Sequence, residues 1–152
     1  MSTNAHRRHL ADLARVVEGA EFLCGPRDVE IDGITHDSRR VTPGSMFCCV
    51  RGAVRDGHDF AGVAVERGAT ALLVDHRLDD LDRVTQLGVG HVRAAIGPMA
   101  SELFGNPSRH MSMVGITGTN GKTTTAHLLG SILSCGGMTT EVMGTLSGTL
   151  TT

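Results

Sequence analysis

The chain has 152 residues, a net charge of −2 and neither Trp nor Tyr. That length suits one domain, or one domain and part of another, and 3% aromatics with near-neutral charge give neither the basic footprint nor the stacking surface of a nucleic-acid binder. No stretch approaches the ~20 apolar residues of a membrane span, and the polar start, with His6-Arg7-Arg8-His9 read as a solvated terminus, lacks a signal-peptide core, so neither nucleic acid nor membrane insertion is expected.

Leu10, Leu13, Ala14 and Val17 recur at helical spacing over residues 9–17, with Gly19 as a stop. Val29, Ile31 and Ile34 alternate as in a half-buried strand. A polar loop from Thr35 to Gly44 closes in a Pro-Gly turn, and Met46-Phe47-Cys48-Cys49-Val50 follows as a continuous apolar strand. Adjacent Cys48 and Cys49 would point to opposite faces and cannot share a metal. All four cysteines are read as buried or half-buried thiols in a reducing cytosol, without chelating or disulfide spacing. After a second polar loop, residues 53–58, a helix is predicted from Asp59 as N-cap to a stop at Gly68. Thr70 to Val74 reads as a second buried strand, and residues 75–91 as a charged loop with a weak strand. The 92–105 segment is helical in pattern but contains Gly97-Pro98, so the helix either starts at Pro98 or kinks there. Asn106-Pro107-Ser108 ends it and marks a domain boundary. The alternation of strand, loop, helix and strand predicts an α/β unit with a largely parallel sheet.

The richest chemistry lies in Gly115 to Thr125. The apolar run Met113-Val114-Gly115-Ile116 predicts a buried strand leading into Gly118-Thr119-Asn120-Gly121-Lys122-Thr123-Thr124, and a helical pattern leads out to about Cys135. Strand, glycine loop, Lys-Thr and helix make a phosphate-binding P-loop. Glycines let backbone N–H groups approach a phosphate, and the helix N-terminus adds unpaired N–H groups and a positive dipole end. Lys122 supplies a point charge, and the Thr123 hydroxyl suits a hydrated Mg²⁺. The spacing departs from the strict G-x-x-x-x-G-K-[ST] form, because Ile116 stands where its first glycine belongs. Thr140 to Met143 begins another strand, and Gly144 to Thr152 reads as a glycine- and threonine-rich loop.

Three separated motifs resemble the N-terminal portion of the Mur ligases, ATP-dependent enzymes that build the peptide of bacterial peptidoglycan. They are Asp37-Ser38-Arg39 with Pro43-Gly44 and Phe47; Gly52 with Asp56-Gly57-His58-Asp59-Phe60 and Gly68-Ala69; and the P-loop variant itself. The resemblance implies an α/β fold class: a small N-terminal α/β domain over residues 1–110, then the first strand–P-loop–helix–strand of an incomplete doubly wound P-loop domain over 111–152. It implies that His36 and Ser38, then Ala53, Val54 and Arg55, line a site for the UDP end of a UDP-N-acetylmuramoyl-dipeptide substrate. It places ATP on Gly118, Thr119, Asn120, Gly121, Lys122, Thr123 and Thr124, with Lys122 as the catalytic residue and Thr123 as the Mg²⁺ ligand. Thr151 and Thr152 resemble a pair that contacts the sugar-peptide. Composition alone would make Ser38-Arg39 an ordinary turn with a solvated ion pair, and His58 a capping or packing histidine. Asp37 and Arg39 would tie their loop as a bidentate pair.

Thr119, where the dipeptide-adding ligases usually have Ser, points to the ligases that add the third residue, diaminopimelate or lysine. The implied setting is the bacterial cytoplasm. The central and C-terminal domains needed for activity are expected to lie beyond this chain, so the chain alone is expected to be inactive. The alternatives are a non-catalytic remnant that binds UDP-sugar or nucleotide, and the related dipeptide-adding Mur ligase. A small P-loop kinase or GTPase is disfavoured, because a P-loop normally opens such a domain and little chain follows this one. Residues 1–110 are expected to fold as a unit, and 111–152 to be poorly ordered or aggregation-prone alone.

Overall fold

The computed structural model describes residues 6–144 and 147–151, with side chains described as far as Gly144. The chain divides into two compact units, Met1–Met111 and Ser112–Thr152.

The first unit is built on a five-stranded sheet. Its strands are β2 (Glu21–Cys24), β4 (Gly33–Thr35), β5 (Ser45–Cys48), β6 (Ala71–Val74) and β7 (Thr85–Gly88), in the order β2-β7-β6-β5-β4. β4 to β7 are mutually parallel, and β2 closes the far edge antiparallel to β7. A short antiparallel pair, β1 (Arg8–His9) with β3 (Glu30–Ile31), stands beside it.

Alternation along the strands divides the core between the two faces of the sheet. Met46, Cys48, Ala71 and Leu73 point to one side, where they meet Leu10 and Leu13 of α1 (Leu10–Ala14) and Val92, Ala95, Met99 and Leu103 of α3 (Val92–Leu103). Phe47, Cys49, Leu72 and Val74 point to the other, against Ala61 and Ala64 of α2 (Ala61–Glu66). Both faces being covered explains why β5 and β6 read as unbroken apolar runs. Cys48 and Cys49 do fall on opposite faces. Burial raises both thiols, Cys49 to about 12, so neither is a nucleophile. Cys135, expected to be at least half-buried, is exposed.

Several boundaries differ from the sequence reading. α1 stops at Ala14, because three-residue turns take over: Val17 N–H bonds the Ala14 carbonyl and Ala20 N–H the Val17 carbonyl. The strand expected across Val29, Ile31 and Ile34 is two strands in different sheets, parted at Asp32, whose N–H bonds the Gly44 carbonyl at 3.0 Å. α2 starts at Ala61 after a 3₁₀ turn over Gly57–Phe60, and the cap of that turn is Asp56 rather than Asp59. α3 runs unbroken from Val92 with Pro98 inside it, so the helix does not start at Pro98. It ends through Gly105 and Asn106, both left-handed, at φ 74° and 55°. No helix among the described residues is long and apolar enough to cross a membrane.

The second unit holds α4 (Lys122–Cys135) and a hairpin of β8 (Glu141–Gly144) with β9 (Ser147–Thr151). Gly130 is the buried residue of α4; a Cβ there would meet Val142 Cγ2 at 2.7 Å, so the small residue lets β8 approach. Two expectations fail here. Ser147–Thr151, expected in a loop, pairs with β8. The predicted strand over 113–116 does not form, and Met113 and Val114 are 71% and 64% exposed. An apolar run becomes a strand only when neighbouring strands take its hydrogen bonds, and among the described residues none does.

Candidate functional site

The residues singled out by the sequence fall at two loci, one in each unit. In the first unit the loops that follow β4, β5 and β6 emerge at the carboxyl edge of the parallel strands, where open α/β sheets bind ligands. His36 and Ser38 lie after β4, and Ala53, Val54 and Arg55 after β5, so they occupy neighbouring loops. His36 and the three residues 53–55 are exposed, Val54 almost completely at 93%, and Ser38 is half-buried. Among the described residues no hydrogen bond or ion pair joins the two loops directly.

Both loops are shaped by the same device. Asp37 caps a 3₁₀ turn over Ser38–Arg40 by accepting the Arg39 N–H at 3.0 Å, and Asp56 caps its turn by accepting the His58 N–H at 2.9 Å. A short carboxylate that accepts a backbone N–H two residues on is the hydrogen bond of an Asx turn. Arg39 closes a fork on Asp37, Nε to Oδ1 at 2.9 Å and Nη2 to Oδ2 at 2.8 Å. These bonds from the Arg39 side chain and backbone hold Asp37 down to about 2. Arg67, at the end of α2, donates to the Ser38 carbonyl at 2.9 Å and pins that turn to the helix.

The loop after β5 is tied across the strand ends. Arg51 Nε lies 2.8 Å from Asp75 Oδ2 and 3.5 Å from Asp56 Oδ2. The His58 ring, 6% exposed, sits between Asp56 and Asp75. The backbone and ring N–H groups of His58 lower Asp56. Burial pushes Asp75 up, but the hydrogen bond from His76 and the nearby His58 and Arg51 outweigh it and leave Asp75 lowered. Gly57 is required for space: a Cβ would stand 2.5 Å from the Val50 nitrogen and 2.6 Å from the Val50 oxygen. Sequence reasoning missed Arg51, Arg67, Asp75 and His76. The signal for Asp75 and His76 was their place directly after a buried parallel strand.

A cavity of about 180 Å³ lies at this carboxyl edge, lined by Val50, Arg51, Asp75 and residues 90–93. A larger one of about 530 Å³ lies by the opposite, amino ends of the strands, where Gly44, Thr70 and Thr85 sit, and no expected site residue lines it.

In the second unit, Gly118 to Thr124 form one turn leading into α4. Gly121 caps the helix with φ 76°, a left-handed value natural to glycine, and no side chain caps the first turn. The first helical bond is Thr125 N–H to the Gly121 carbonyl at 2.9 Å. The earlier N–H groups have no partner within the helix. A Cβ on Gly115 or Gly121 would meet nothing within 4 Å, so the space over the turn is open. Lys122 is exposed and bends back so that Nζ donates to the Gly118 carbonyl; among the described residues it has no carboxylate partner. Thr123 is half-buried in the first turn. Thr151 lies in β9 opposite Glu141, and Thr152 lies outside the described residues.

A mixed α/β sheet with capped loops at its carboxyl edge, followed in the chain by a glycine turn into a helix with uncapped amides and an exposed lysine, defines an α/β protein. Residues 30–102 match the family model described as "Mur ligase family, catalytic domain". The chain is 48% identical over 126 residues to the UDP-N-acetylmuramoyl-L-alanyl-D-glutamate–2,6-diaminopimelate ligase of Syntrophomonas wolfei, covering 83% of this chain and 26% of that protein. It is 42% identical over 138 residues to a UDP-N-acetylmuramyl-tripeptide synthetase of Roseiflexus, covering 87% of this chain and 27% of that one. Among solved structures, MurF from Acinetobacter baumannii superposes with a TM-score of 0.68 at 28% identity, over 85% of this chain and 28% of that one. MurF from Thermotoga maritima in complex with ADP superposes at 0.54 and 32% identity, over 67% of this chain and 23% of that one. The chain belongs to the Mur ligase family. It spans about a quarter of the length of the curated relatives it matches.

Proposed function

We propose that residues 1–110 are the UDP-sugar-binding domain, and 111–152 the beginning of the central ATP-binding domain, of an ATP-dependent amide-bond ligase of peptidoglycan precursor synthesis. The ligase adds diaminopimelate or lysine to UDP-N-acetylmuramoyl-L-alanyl-D-glutamate. The observation that carries this reading is the 48% identity to a ligase of that name along 83% of the chain. Thr119 agrees with the third-residue enzymes rather than the dipeptide-adding ones.

Each locus has the form its proposed ligand needs. Uncapped amides at a helix N-terminus, an open glycine turn and a lysine without a carboxylate partner fit a polyphosphate. Thr123 offers Mg²⁺ one hydroxyl, which suits a hydrated ion shared with nucleotide phosphates rather than an all-protein cage. ATP supplies the phosphoryl group that activates the substrate carboxylate for attack by an amine. This chain's part is to neutralise charge and hold position: Lys122 and the first-turn amides of α4 against the phosphates, and the capped loops after β4 and β5 against the UDP end. The turn held by Asp37 presents Ser38 already ordered, so binding costs less entropy there.

Calorimetric titration tests both halves. UDP-N-acetylmuramoyl-L-alanyl-D-glutamate is expected to bind one site on the 152-residue chain and to lose that site in Ser38→Tyr. ATP with Mg²⁺ is expected to lose about tenfold or more in affinity in Lys122→Ala, since hydrogen bonds to charged groups contribute roughly 1.5–3 kcal/mol. No binding of the sugar nucleotide at millimolar concentration would overturn the proposal.

A further inference from the structure

The buried His58 ring behind the β5 loop holds a contradiction that a proton does not resolve. Asp56, a lowered carboxylate, lies 2.5 Å from His58 Nδ1 and so accepts that N–H. The Nε2 on the other side of the ring faces Asp75 Oδ1 at 3.3 Å, yet it is the buried side-chain nitrogen or oxygen that lacks a hydrogen-bond partner among the described residues. With Nδ1 donating to Asp56, Nε2 of the ring carries a lone pair that no donor among the described residues meets. A proton there would not be shared with Asp75, because the approach lacks hydrogen-bond geometry. A second ring, His76, stacks on the first with centroids 4.5 Å apart and turns its Nδ1 to the same Asp75 oxygen at 2.5 Å.

We propose that His58 Nε2, Asp75 Oδ1 and His76 Nδ1 form a binding site for a borderline divalent transition-metal ion, Zn²⁺ or Co²⁺, that bridges the loops after β5 and β6. The three donor atoms lie within 4.8 Å of one another. Two ligands about 2.1 Å from a tetrahedral ion stand about 3.4 Å apart, and His58 Nε2 and Asp75 Oδ1 are already 3.3 Å apart. His76, with half its side chain exposed at 51%, is free to turn the further ångström that its nitrogen needs. The outer groups are also those of a metal centre. The Asp56 carboxylate fixes the His58 tautomer, and Arg51 Nε holds Asp75 Oδ2 at 2.8 Å, leaving Oδ1 for the ion. Two imidazoles and one carboxylate select against Mg²⁺ and leave positions for water.

Co²⁺ alone, titrated into the 152-residue chain, tests the assignment through visible d–d absorption and its displacement by Zn²⁺. One equivalent is expected, and His76→Ala, an exposed position that spares the fold, is expected to weaken binding at least tenfold. Asp75→Asn is expected to weaken it likewise. Absence of the absorption band would overturn the proposal. So would a band that survives His76→Ala and disappears in His6→Ala or Cys135→Ser, which would put the ion elsewhere.

Discussion

Replacing Gly57 by alanine isolates one structural cause in the Asp56-Gly57-His58 motif. The Gly57 N–H bonds the Val50 carbonyl at 2.9 Å, and an added Cβ would lie 2.5 Å from the Val50 nitrogen, 2.6 Å from its oxygen and 2.9 Å from the Cys49 carbonyl carbon. All three are backbone atoms at the end of a central strand and cannot rotate away. Relieving the overlap must move the loop, at the roughly 1–3 kcal/mol of an overpacked site, and weaken a hydrogen bond contributing about 1 kcal/mol. The sum is about 3 kcal/mol, or roughly 12 °C in Tm for a unit of this size. Two other glycines calibrate the measurement. Gly62, inside α2, has nothing within 4 Å of its Cβ position, so Gly62→Ala is expected to stabilise by up to about 1 kcal/mol. Gly90 is equally open, and Gly90→Ala is expected to stay within about 0.5 kcal/mol of the parent. Urea melts of the full chain followed by circular dichroism rank the three. A Gly57→Ala protein within about 0.5 kcal/mol of the parent would refute the steric account of the motif.

Asp37 is expected to titrate at about 2 by carboxyl NMR, and in Arg39→Ala to move up toward the ordinary value near 3.9. Because the folded value is depressed, its contribution to the loop is present above about pH 3.9 and lost as pH falls toward about 2. Gln86 is fully buried and serves the Leu78 N–H and the Leu78 and Leu81 carbonyls, so Gln86→Leu is expected to cost roughly 3 kcal/mol in a urea melt through unsatisfied backbone groups.

Gln86 also shows why part of the fold was hidden in the sequence. β5 and β6 were legible because both faces of a parallel strand are covered and their side chains are apolar. β7 lies between β6 and β2, just as buried, but two of its four residues are polar. Thr85 donates to the Pro26 carbonyl at 2.9 Å, and Gln86 bonds the 3₁₀ turn before the strand. Those partners come from other parts of the chain, so no local pattern signals them. The edge strand β2 was missed because none of its residues is fully buried. The loops after β4 and β5 were legible for a different reason. Asp37 and Asp56 act on backbone two residues away, so the D-S-R and D-G-H triplets carry their own geometry. What the triplets omit is the cross-chain bracing: Arg67 on Ser38, and Asp75 on Arg51, join residues 29 and 24 positions apart.

The same contrast between local and distant causes bears on the P-loop. The turn from Gly118 to Thr124 is set by near neighbours: a left-handed Gly121, a helix that begins at once, and a lysine that reaches back over four residues. The run Met113 to Ile116, in contrast, needs ladder partners, and without them it stays out of any sheet. Phosphate contacts depend on backbone N–H groups held on both sides of the loop, so affinity scales with the fraction of molecules in which the leading segment is in place. If the turn binds a nucleotide as proposed, a helix N-terminus that is ready and a leading segment that is not would divide the binding free energy unequally. Under the proposed function α4 would supply the charge, and the cost of placing residues 113–118 would fall on nucleotide binding. Leu128 and Ile132, which form an exposed apolar stripe on α4 at 60% and 67%, mark where packing would remove that cost by holding helix and strand together.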